Sequence, residues 1–225
     1  MSLTATGLRV GYDGRVVLDE VSFAVSPGET VGLCGPSGIG KSTLARALAG
    51  LLVPDAGLVA CDGVPVVTRR GRMSGRVAML FQSPRRSCSP RVRLGDLIAE
   101  PLRLRRVPAG EQQALVAGVS REVGLTDDLL GRLPAEVSDG QLQRAALARA
   151  LASEPRYLVC DEATTMLDAL TTASVVGVLR RRAAAGLGVL AISHDRELLD
   201  AWADRVVTLG PRAGDPNENA TVDAH

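Results

Sequence analysis

The 225-residue sequence has few aromatic side chains, little net charge and no long hydrophobic run. Aromatic residues make up only 2% of the chain, which argues against the stacking platforms that bind single-stranded nucleic acid. With 26 basic and 25 acidic residues, the formal net charge is +1, so the strong basic excess typical of nucleic-acid binders is missing. We therefore expect no nucleic acid among its partners.

Membrane-spanning, secretory and disulfide signals are also lacking. The longest apolar candidate, around Ala183 to Ile192, is too short and too rich in glycine to span a bilayer. The N-terminus lacks the charged-then-apolar layout of a signal peptide. The four cysteines, at positions 34, 61, 88 and 160, have no close pair, which fits neither a disulfide framework nor a zinc site. These features predict a cytosolic protein with reduced thiols.

The positive charge of the chain is carried almost entirely by arginine. Of the 26 basic residues, Lys41 is the one lysine, and histidine occurs only at His194 and His225. Between Arg69 and Arg106, eleven arginines stand against two acidic residues, a local net charge of +9 that leaves −8 for the rest of the chain. This stretch is either a solvated face or a surface for a partner or an anionic membrane.

Alternating strand and helix patterns predict an α/β fold with a mainly parallel sheet. The predicted strands cover residues 3–10, 15–25, 31–34, 77–81, 157–160, 189–193 and 205–209, and the predicted helices cover 42–52 and 169–185. Asp13-Gly14 is a hairpin turn signal between the first two strands. Residues 95–153 are predicted mostly helical, with breaks at Pro101, Pro108, Gly124 and Pro134. We expect the block at roughly 83–150 to be inserted into the sheet domain, and the tail 211–225 to be disordered.

A glycine-rich loop after the third strand matches the phosphate-binding pattern G-x-x-x-x-G-K-[ST]. Its residues are Gly35, Pro36, Ser37, Gly38, Ile39, Gly40, Lys41 and Ser42, with Thr43 next in the following helix. Glycines let the backbone approach phosphate closely, and the helix start adds its positive dipole end. Lys41 supplies a compact charge for the β- and γ-phosphates, and Ser42 offers a hydroxyl to Mg²⁺. The loop predicts binding of nucleotide phosphates together with Mg²⁺.

Two acidic residues follow the apolar strand at 157–160, and a histidine follows the strand at 189–193. Asp161 is expected to hold Mg²⁺ through water, and Glu162 to orient or deprotonate the attacking water. Taken alone, the acidic pair would also suit a helix N-cap. His194 is either a structural residue or a contact to the γ-phosphate that reports its loss.

The segment Val137-Ser138-Asp139-Gly140-Gln141 precedes a helical pattern, and here the chain resembles the ATP-binding cassette (ABC) ATPases. Their signature motif is Leu-Ser-Gly-Gly-Gln, of which this sequence keeps Ser138, Gly140 and Gln141. Ser138 and the Gly140 N–H can contact a γ-phosphate at a helix N-terminus. Asp139 replaces the first glycine and brings a negative charge close to that phosphate.

The resemblance covers residues 3–210 and implies roles for three further residues. Tyr12 matches the aromatic residue that stacks on adenine, although a surface hairpin tyrosine is the alternative. Gln82 matches a glutamine that contacts Mg²⁺ or water and links the site to a membrane partner. Asp168 matches the aspartate of the D-loop. The segments 81–102 and 161–171 look like the peptide/nickel importer branch.

The resemblance also implies an architecture, partners and a function. The expected fold is that of a P-loop NTPase of the ABC type, with a RecA-like core, an antiparallel β subdomain and an inserted helical subdomain within one domain at 1–210. Two ATPase subunits, identical or different, would sandwich two ATP molecules, on permease subunits and with a solute-binding protein in the full system. We expect an ATP-hydrolysing subunit, peripheral on the inner face of the membrane, that imports peptides, nickel or a similar small solute. Export, and a soluble ABC ATPase acting on an enzyme or repair complex, remain alternatives.

Overall fold

The computed structural model describes residues 1–66, 76–164 and 167–211, together with the backbone of 220–224. The strands are β1 (Leu3–Tyr12), β2 (Arg15–Val25), β3 (Thr30–Cys34), β4 (Ala56–Cys61), β5 (Val64–Pro65), β6 (Val77–Leu80), β7 (Tyr157–Asp161), β8 (Gly188–Ile192), β9 (Arg205–Pro211) and β10 (Ala220–Ala224). The helices are α1 (Lys41–Leu48), α2 (Pro84–Ser87), α3 (Leu94–Leu104), α4 (Ala109–Glu122), α5 (Asp127–Leu130), α6 (Asp139–Ala152), α7 (Ala169–Ala184) and α8 (Arg196–Asp200).

The described strands form one sheet in the order β5-β4-β1-β2-β10-β9-β3-β8-β7-β6. The run β9-β3-β8-β7-β6 is parallel throughout, whereas β5-β4-β1-β2 is antiparallel. The parallel half matches the parallel sheet predicted from the strand and helix pattern, and the half built from two hairpins matches the antiparallel β subdomain that the family resemblance implied.

Both hairpins turn through an Asp-Gly pair. Asp13 and Gly14 join β1 to β2 with φ angles of 50° and 80°, and Asp62 and Gly63 join β4 to β5 with φ angles of 53° and 80°. Positive φ at both central residues gives the turn the twist of the flanking strands. The second hairpin was not predicted, because the first three residues of β4 are exposed and small or apolar, without the alternation that marks a half-buried strand.

α1 begins directly after the glycine-rich loop and ends four residues before the predicted end. Gly50 adopts φ 75° and its N–H bonds to the Ala47 carbonyl at 3.0 Å. The N–H of Leu51 reaches back to the Arg46 carbonyl at 2.8 Å. This left-handed glycine cap satisfies the last carbonyls of the helix, so Gly50 terminates it.

The chain between β6 and β7 is helical, where the sequence predicts an inserted block. α3 runs through Pro101, so the predicted break there is wrong. A proline inside a helix costs about 3 kcal/mol. α3 offsets this cost because it buries Leu94, Ile98 and Leu102 almost completely, each worth about 2 kcal/mol. The other predicted breaks fall at or next to helix ends: Pro108, Gly124 and Pro134.

The parallel strands divide their side chains between two hydrophobic cores. Leu158 and Val189 pack on the side of α3, α6 and α7, whereas Val159 and Leu190 pack on the side of α1 and the first hairpin. β7 and β8 are buried on both faces, which explains why their sequences are continuous apolar runs. The carboxyl ends of these strands are consequently held by packing from both sides.

A buried carboxylate ties the antiparallel half of the sheet to the parallel half. Asp62, whose side chain is 2% exposed, accepts a hydrogen bond from the Tyr157 hydroxyl at 2.9 Å and forms a salt bridge with Arg156 Nη1 at 2.8 Å. Burial, followed by the hydrogen bond to Asp62, raises the pKa of Tyr157, so its hydroxyl stays a donor. The contact joins the β4–β5 turn to the first residue of β7.

The predicted disorder of the tail is wrong for residues 220–224, which form β10. This strand pairs antiparallel with β9, from Ala220 opposite Pro211 to Ala224 opposite Val207, and touches β2 on its other side. It satisfies backbone groups of β9 and β2 that would otherwise form open sheet edges. The polar composition of the tail predicted disorder, and composition cannot show that a free edge of the sheet is available for pairing. Residues 212–219 and 225 lie outside the described part of the chain.

The four cysteines are buried free thiols, in line with the absence of a disulfide pattern. Among the described helices, none has both the length and the apolar character that crossing a bilayer would require.

Candidate functional site

Four parallel strands end at one edge of the sheet, and each delivers a predicted site residue there. β3 leads into the glycine-rich loop, β7 ends at Asp161, β8 is followed closely by His194, and β6 is followed closely by Gln82. Ligands of open α/β sheets bind outside the carboxyl ends of the strands. The topology therefore gathers residues that lie up to 160 positions apart in sequence.

The glycine-rich loop requires glycine for steric reasons at two positions. A Cβ on Gly35, at φ 147°, would lie 2.2 Å from the Leu209 carbonyl oxygen. A Cβ on Gly40, at φ 113°, would lie 2.8 Å from a methyl group of Leu18. The loop is thus pressed against β9 and β2, which leaves its N–H groups to turn toward a phosphate.

Lys41 opens α1 and folds back over the loop. Its Nζ donates hydrogen bonds of 2.8 Å to the carbonyl oxygens of both Gly35 and Pro36. The residue is 6% exposed, which is unusual for a lysine and reflects these two bonds. An ammonium group carries three donors, so one remains for a phosphate oxygen.

Ser42 and Asp161 meet at the loop. Ser42 Oγ donates a hydrogen bond of 3.0 Å to Asp161 Oδ1, which connects the first turn of α1 to the end of β7. Burial raises the pKa of Asp161, the Ser42 bond opposes this, and the charge of Glu162 raises it further. Because burial disfavours the charged form of Asp161, a bound cation would stabilise its carboxylate.

The Ser42–Asp161 pair fits Mg²⁺ as a partial ligand set. Both side chains offer oxygen, the ligand atom that Mg²⁺ prefers. Within the described residues, no group of three or more His, Cys, Asp or Glu side chains is arranged to hold a metal. The pair thus matches the usual protein share of an Mg²⁺–nucleotide site, in which phosphates and waters complete the shell.

Glu162 lies beside this pair and is held by Gln82. Gln82 Nε2 donates a hydrogen bond of 2.8 Å to Glu162 Oε2. Glu162 adopts the left-handed conformation, at φ 48°, and its N–H bonds to the Ile192 carbonyl at 3.0 Å. A non-glycine residue in this region costs about 1 kcal/mol or more and is found where the surroundings fix it, often at active sites.

His194 is exposed and follows β8 after the buried Ser193. The Ser193 hydroxyl accepts a hydrogen bond of 3.0 Å from the Asp195 N–H, and Asp195 caps α8 through the Leu198 N–H at 2.9 Å. His194 thus projects from a fixed turn and lines a surface cleft near Thr164.

Tyr12 is 42% exposed at the end of β1, directly across the hairpin from Arg15. Arg15 lines a cleft of ≈ 520 Å³ that is also lined by Ser37 and Gly38 of the glycine-rich loop. A purine and its ribose need a space of this kind beside the phosphates.

The signature residues lie at the start of α6, on the helical block. Ser138 and Gln141 form a capping box: the Gln141 N–H donates to Ser138 Oγ at 3.2 Å, and the Ser138 N–H donates to Gln141 Oε1 at 2.9 Å. Gly140 packs against Thr171 of α7. Asp168 caps α7 by accepting from the N–H and the hydroxyl of Thr171 at 2.9 and 2.8 Å, and these bonds lower its pKa.

The signature segment and the glycine-rich loop are not joined: no hydrogen bond within the described residues links 137–141 to 35–43. The structure brings Lys41, Ser42, Gln82, Asp161 and Glu162 to one strand edge, whereas Ser138, Gly140 and Gln141 form a separate group next to Asp168.

Two residues at the site escaped the sequence analysis. Gln143 is 1% exposed, and its amide donates to the Ala163 carbonyl at 2.9 Å, tying α6 to the segment after Glu162. The sequence feature that could have indicated Gln143 is its place as a polar residue on a face of α6 where small and apolar residues recur. Arg85, read as part of a charged surface, instead binds Asp139 at 2.6 Å. Its signal was Asp139 itself, a negative charge in place of glycine.

The model of the ABC transporter family matches residues 18–165, about two thirds of the sequence. The chain belongs to the ABC transporter family. The matched region includes the glycine-rich loop, the signature segment and the Asp161–Glu162 pair.

Several curated ABC relatives are importer subunits. The chain is 40% identical to the nickel import ATP-binding protein NikE of Rhodospirillum rubrum, over 87% of this chain and 73% of that protein. It is 38% identical to NikE of Escherichia coli K12, over 88% and 78%. It is 37% identical to the oligopeptide transport ATP-binding protein OppF of Haemophilus influenzae, over 84% of this chain and 59% of that protein. These matches confirm the resemblance to the peptide/nickel importer branch.

Solved structures of ABC subunits share the fold. One ATP-binding subunit of an ABC transporter superposes with a TM-score of 0.85 at 24% identity, covering 100% of this chain and 90% of the other. CbiO1 of Clostridium perfringens, part of the ABC transporter complex CbiONQ, gives a TM-score of 0.80 at 25% identity, covering 92% and 83%. The predicted ABC ATPase fold is confirmed, and the chain is an ATP-binding ATPase of this family.

Proposed function

We propose that this chain is the ATP-hydrolysing subunit of a membrane importer for nickel, peptides or a similar small solute. The observation that carries the proposal is the pair of contacts at one strand edge, Ser42 with Asp161 and Gln82 with Glu162. The first pair is suited to Mg²⁺ and the second to a water molecule. Similarity to nickel and oligopeptide import proteins supports the substrate class.

Each residue of the site has a distinct task in this proposal. The loop N–H groups and Lys41 bind the β- and γ-phosphates, and Ser42 and Asp161 hold Mg²⁺. Bound Mg²⁺ neutralises charge that develops on the transferred phosphoryl group. Glu162 orients the attacking water and accepts its proton, and Gln82 keeps the carboxylate in place. Tyr12 stacks on the adenine, and His194 contacts the γ-phosphate.

A dimer completes the site, since the signature segment stands apart from the glycine-rich loop of its own chain. Ser138, Gly140 and Gln141 lie at the N-terminus of a 14-residue helix, where N–H groups and the helix dipole favour a phosphate. A second ATPase subunit, identical or different, would bring its own signature to the ATP held here, with Asp168 close to the contact. ATP then closes the sandwich and hydrolysis reopens it.

An apolar groove beside Gln82 suits a permease helix. The groove, of ≈ 380 Å³, runs from β6 and Phe81 to Leu104 of α3, and Leu51 and Leu104 are 47% and 80% exposed at its rim. A short helix with an apolar face fills such a groove. Because Phe81 precedes Gln82, a helix in the groove would sense the state of Glu162. This partner would hold the chain at the cytoplasmic face of the membrane.

The docking surface is tested with matched substitutions. Leu104→Glu is expected to abolish co-purification with permease subunits, whereas Val64→Glu, at a 49% exposed position on β5, is expected to leave it intact. Equal retention of the permease by both variants would refute docking at this groove. Arg85 lies in the positively charged stretch between Arg69 and Arg106, but it is a poor probe of partner docking because it binds Asp139 within the same chain.

Transport is tested in vesicles that contain this chain and the permease subunits that co-purify with it. We expect ATP-dependent uptake of a nickel complex or an oligopeptide, and no uptake with Glu162→Gln. The absence of any co-purifying membrane partner would favour a non-transport ATPase, and ATP-driven efflux would make the system an exporter.

A further inference from the structure

Arg85 uses each nitrogen of its guanidinium group on the segment that leads into α6. Its Nε donates to Asp139 Oδ1 at 2.6 Å, Nη1 to the Pro134 carbonyl at 2.9 Å and Nη2 to the Val137 carbonyl at 3.1 Å. Three bonds from one planar fork fix direction as well as distance. The turn that carries Ser138 is therefore held from outside as well as by its own capping box.

The two carbonyls that Arg85 binds bracket the turn. Pro134 begins the 3₁₀ turn and Val137 directly precedes Ser138. Without Arg85, the backbone between these carbonyls would retain only its local bonds, such as that from the Leu133 N–H to Glu136 Oε2 at 2.7 Å. Arg85 thus limits the freedom of the segment that presents Ser138 and Gly140.

The bond to Asp139 has an electrostatic consequence. The carboxylate lies in the first turn of α6 between the two residues proposed to contact a γ-phosphate, and its side chain is 54% exposed. A bare carboxylate here would repel an approaching phosphate, since like charges at short range are unfavourable. The guanidinium on Oδ1 cancels that charge and keeps the carboxylate turned toward α2.

We propose that Arg85 is a positioning residue for the ATP site that this chain completes on a partner subunit. It neutralises Asp139 and holds the Ser138–Gly140 turn in the geometry that accepts the γ-phosphate. This inference rests on the proposed function, because it requires an ATP sandwich between two ATPase subunits. Within the described residues, Arg85 makes no hydrogen bond to Lys41, Ser42 or Asp161, so we expect nucleotide binding at the chain's own loop to change little when Arg85 is replaced.

The proposal is tested in a Glu162→Gln background, which is expected to bind ATP without turning it over. Arg85→Ala, Asp139→Gly and the double variant are compared with this parent. Two readouts are used: nucleotide affinity of the monomer, from a fluorescent ATP analogue, and ATP-induced association, from analytical ultracentrifugation. Association is measured for the chain alone and with any second ATPase subunit that co-purifies with it. Thermal unfolding identifies any variant that fails to fold.

Arg85→Ala is expected to weaken ATP-induced association by about tenfold, while monomer affinity for the analogue changes by less than about twofold. Adding Asp139→Gly is expected to recover the part of the loss that comes from the uncompensated charge, while the part that comes from the lost bonds to the Pro134 and Val137 carbonyls remains. A variant that merely loosened the fold would not be rescued by a second substitution. Arg85→Gln, which keeps a donor but loses the charge, should behave like Arg85→Ala and should also be rescued.

The outcomes separate this inference from the proposed function. If the Glu162→Gln parent associates on ATP binding and Arg85→Ala in that background associates equally well, the role of Arg85 is overturned. An association defect that Asp139→Gly does not relieve overturns charge compensation. A parent that shows no ATP-induced association under any of these conditions overturns the sandwich dimer itself.

Discussion

Gln82 and Glu162, which follow two neighbouring parallel strands, are joined by a hydrogen bond of 2.8 Å from the Gln82 amide to Glu162 Oε2. They lie 80 positions apart in sequence, and the pairing of β6 with β7 brings them together. A carboxylate that is already oriented by an amide needs little rearrangement to receive a water molecule.

Glu162→Gln is expected to lower ATP turnover by at least about a hundredfold, because an amide cannot accept the proton of the attacking water. ATP binding should persist, since Lys41 and Ser42 are untouched. Phosphate release and equilibrium nucleotide binding measure the two effects. The control is Glu111→Gln on the exposed face of α4. A variant that turned over as fast as the unmodified chain would exclude Glu162 as the base.

Ser42→Ala is expected to weaken ATP binding in the presence of Mg²⁺ much more than in its absence. The change removes an oxygen ligand and leaves the buried Asp161 without its donor, at a cost to stability of about 1–2 kcal/mol. Calorimetric titration with and without Mg²⁺, together with thermal unfolding, tests both effects. Ser174→Ala, an exposed serine on α7, is the matched control. Equal loss with and without the metal would argue against an Mg²⁺ ligand.

Amine-directed labelling offers an unusually clean test, since Lys41 and the N-terminus carry the only primary amines. Lys41 is 6% exposed and bonded to two loop carbonyls, so it should react slowly even without nucleotide. MgATP should slow it further, by about tenfold or more, whereas the N-terminus should react at an unchanged rate. Peptide mass spectrometry reads both sites in one sample. Lys41 labelling that ignores nucleotide would count against the phosphate site.

Gly35→Ala is expected to destabilise the fold by about 2–4 kcal/mol, because its Cβ would collide with the Leu209 carbonyl. Gly38→Ala is the matched comparison, since Gly38 has φ 81° but no atom within 4 Å of a Cβ. It should cost only about 1 kcal/mol of backbone strain. Denaturant unfolding measures both, and similar values for the two variants would show that the contact with β9 is unimportant.

The stability of the sheet is expected to depend on Glu29 at neutral but not at acidic pH. Burial acts to raise the pKa of Glu29, but hydrogen bonds from the Ser26 N–H at 2.7 Å and from Arg205 at 2.6 Å lower it below its usual 4.5. A lowered pKa contributes stability above the unfolded-state value, and this contribution disappears as pH falls through the folded-state value. Glu29→Gln should therefore cost about 0.5–1 kcal/mol at pH 7, with the difference shrinking as pH falls below 4.5 and vanishing once the folded-state carboxylate is protonated. A constant difference across this range would contradict the assignment.

Local patterns sufficed for the parts of the fold and the site that depend on short segments. Short-range residue preferences were enough to predict the Asp13-Gly14 turn, the apolar strands β7 and β8 and the glycine-rich loop. Features that depend on distant partners were not predictable: Pro101 stays in α3 because of burial against α6, and β10 forms because β9 and β2 leave room for it. The Arg85–Asp139 contact belongs to the same class, since nothing near Arg85 in sequence announces a carboxylate 54 positions away.

The buried bond between Tyr157 and Asp62 restricts where this molecule can bend. Separating the hairpins from the parallel strands would expose the Asp62 carboxylate, which is now only 2% exposed, and would break its salt bridges with Arg76 and Arg156. The β4–β5 hairpin and the parallel strands are consequently held together at this point as one body. The helices between β6 and β7 pack on the same parallel strands through a continuous apolar core, to which the hydrogen bond from Gln143 to the Ala163 carbonyl adds a polar contact.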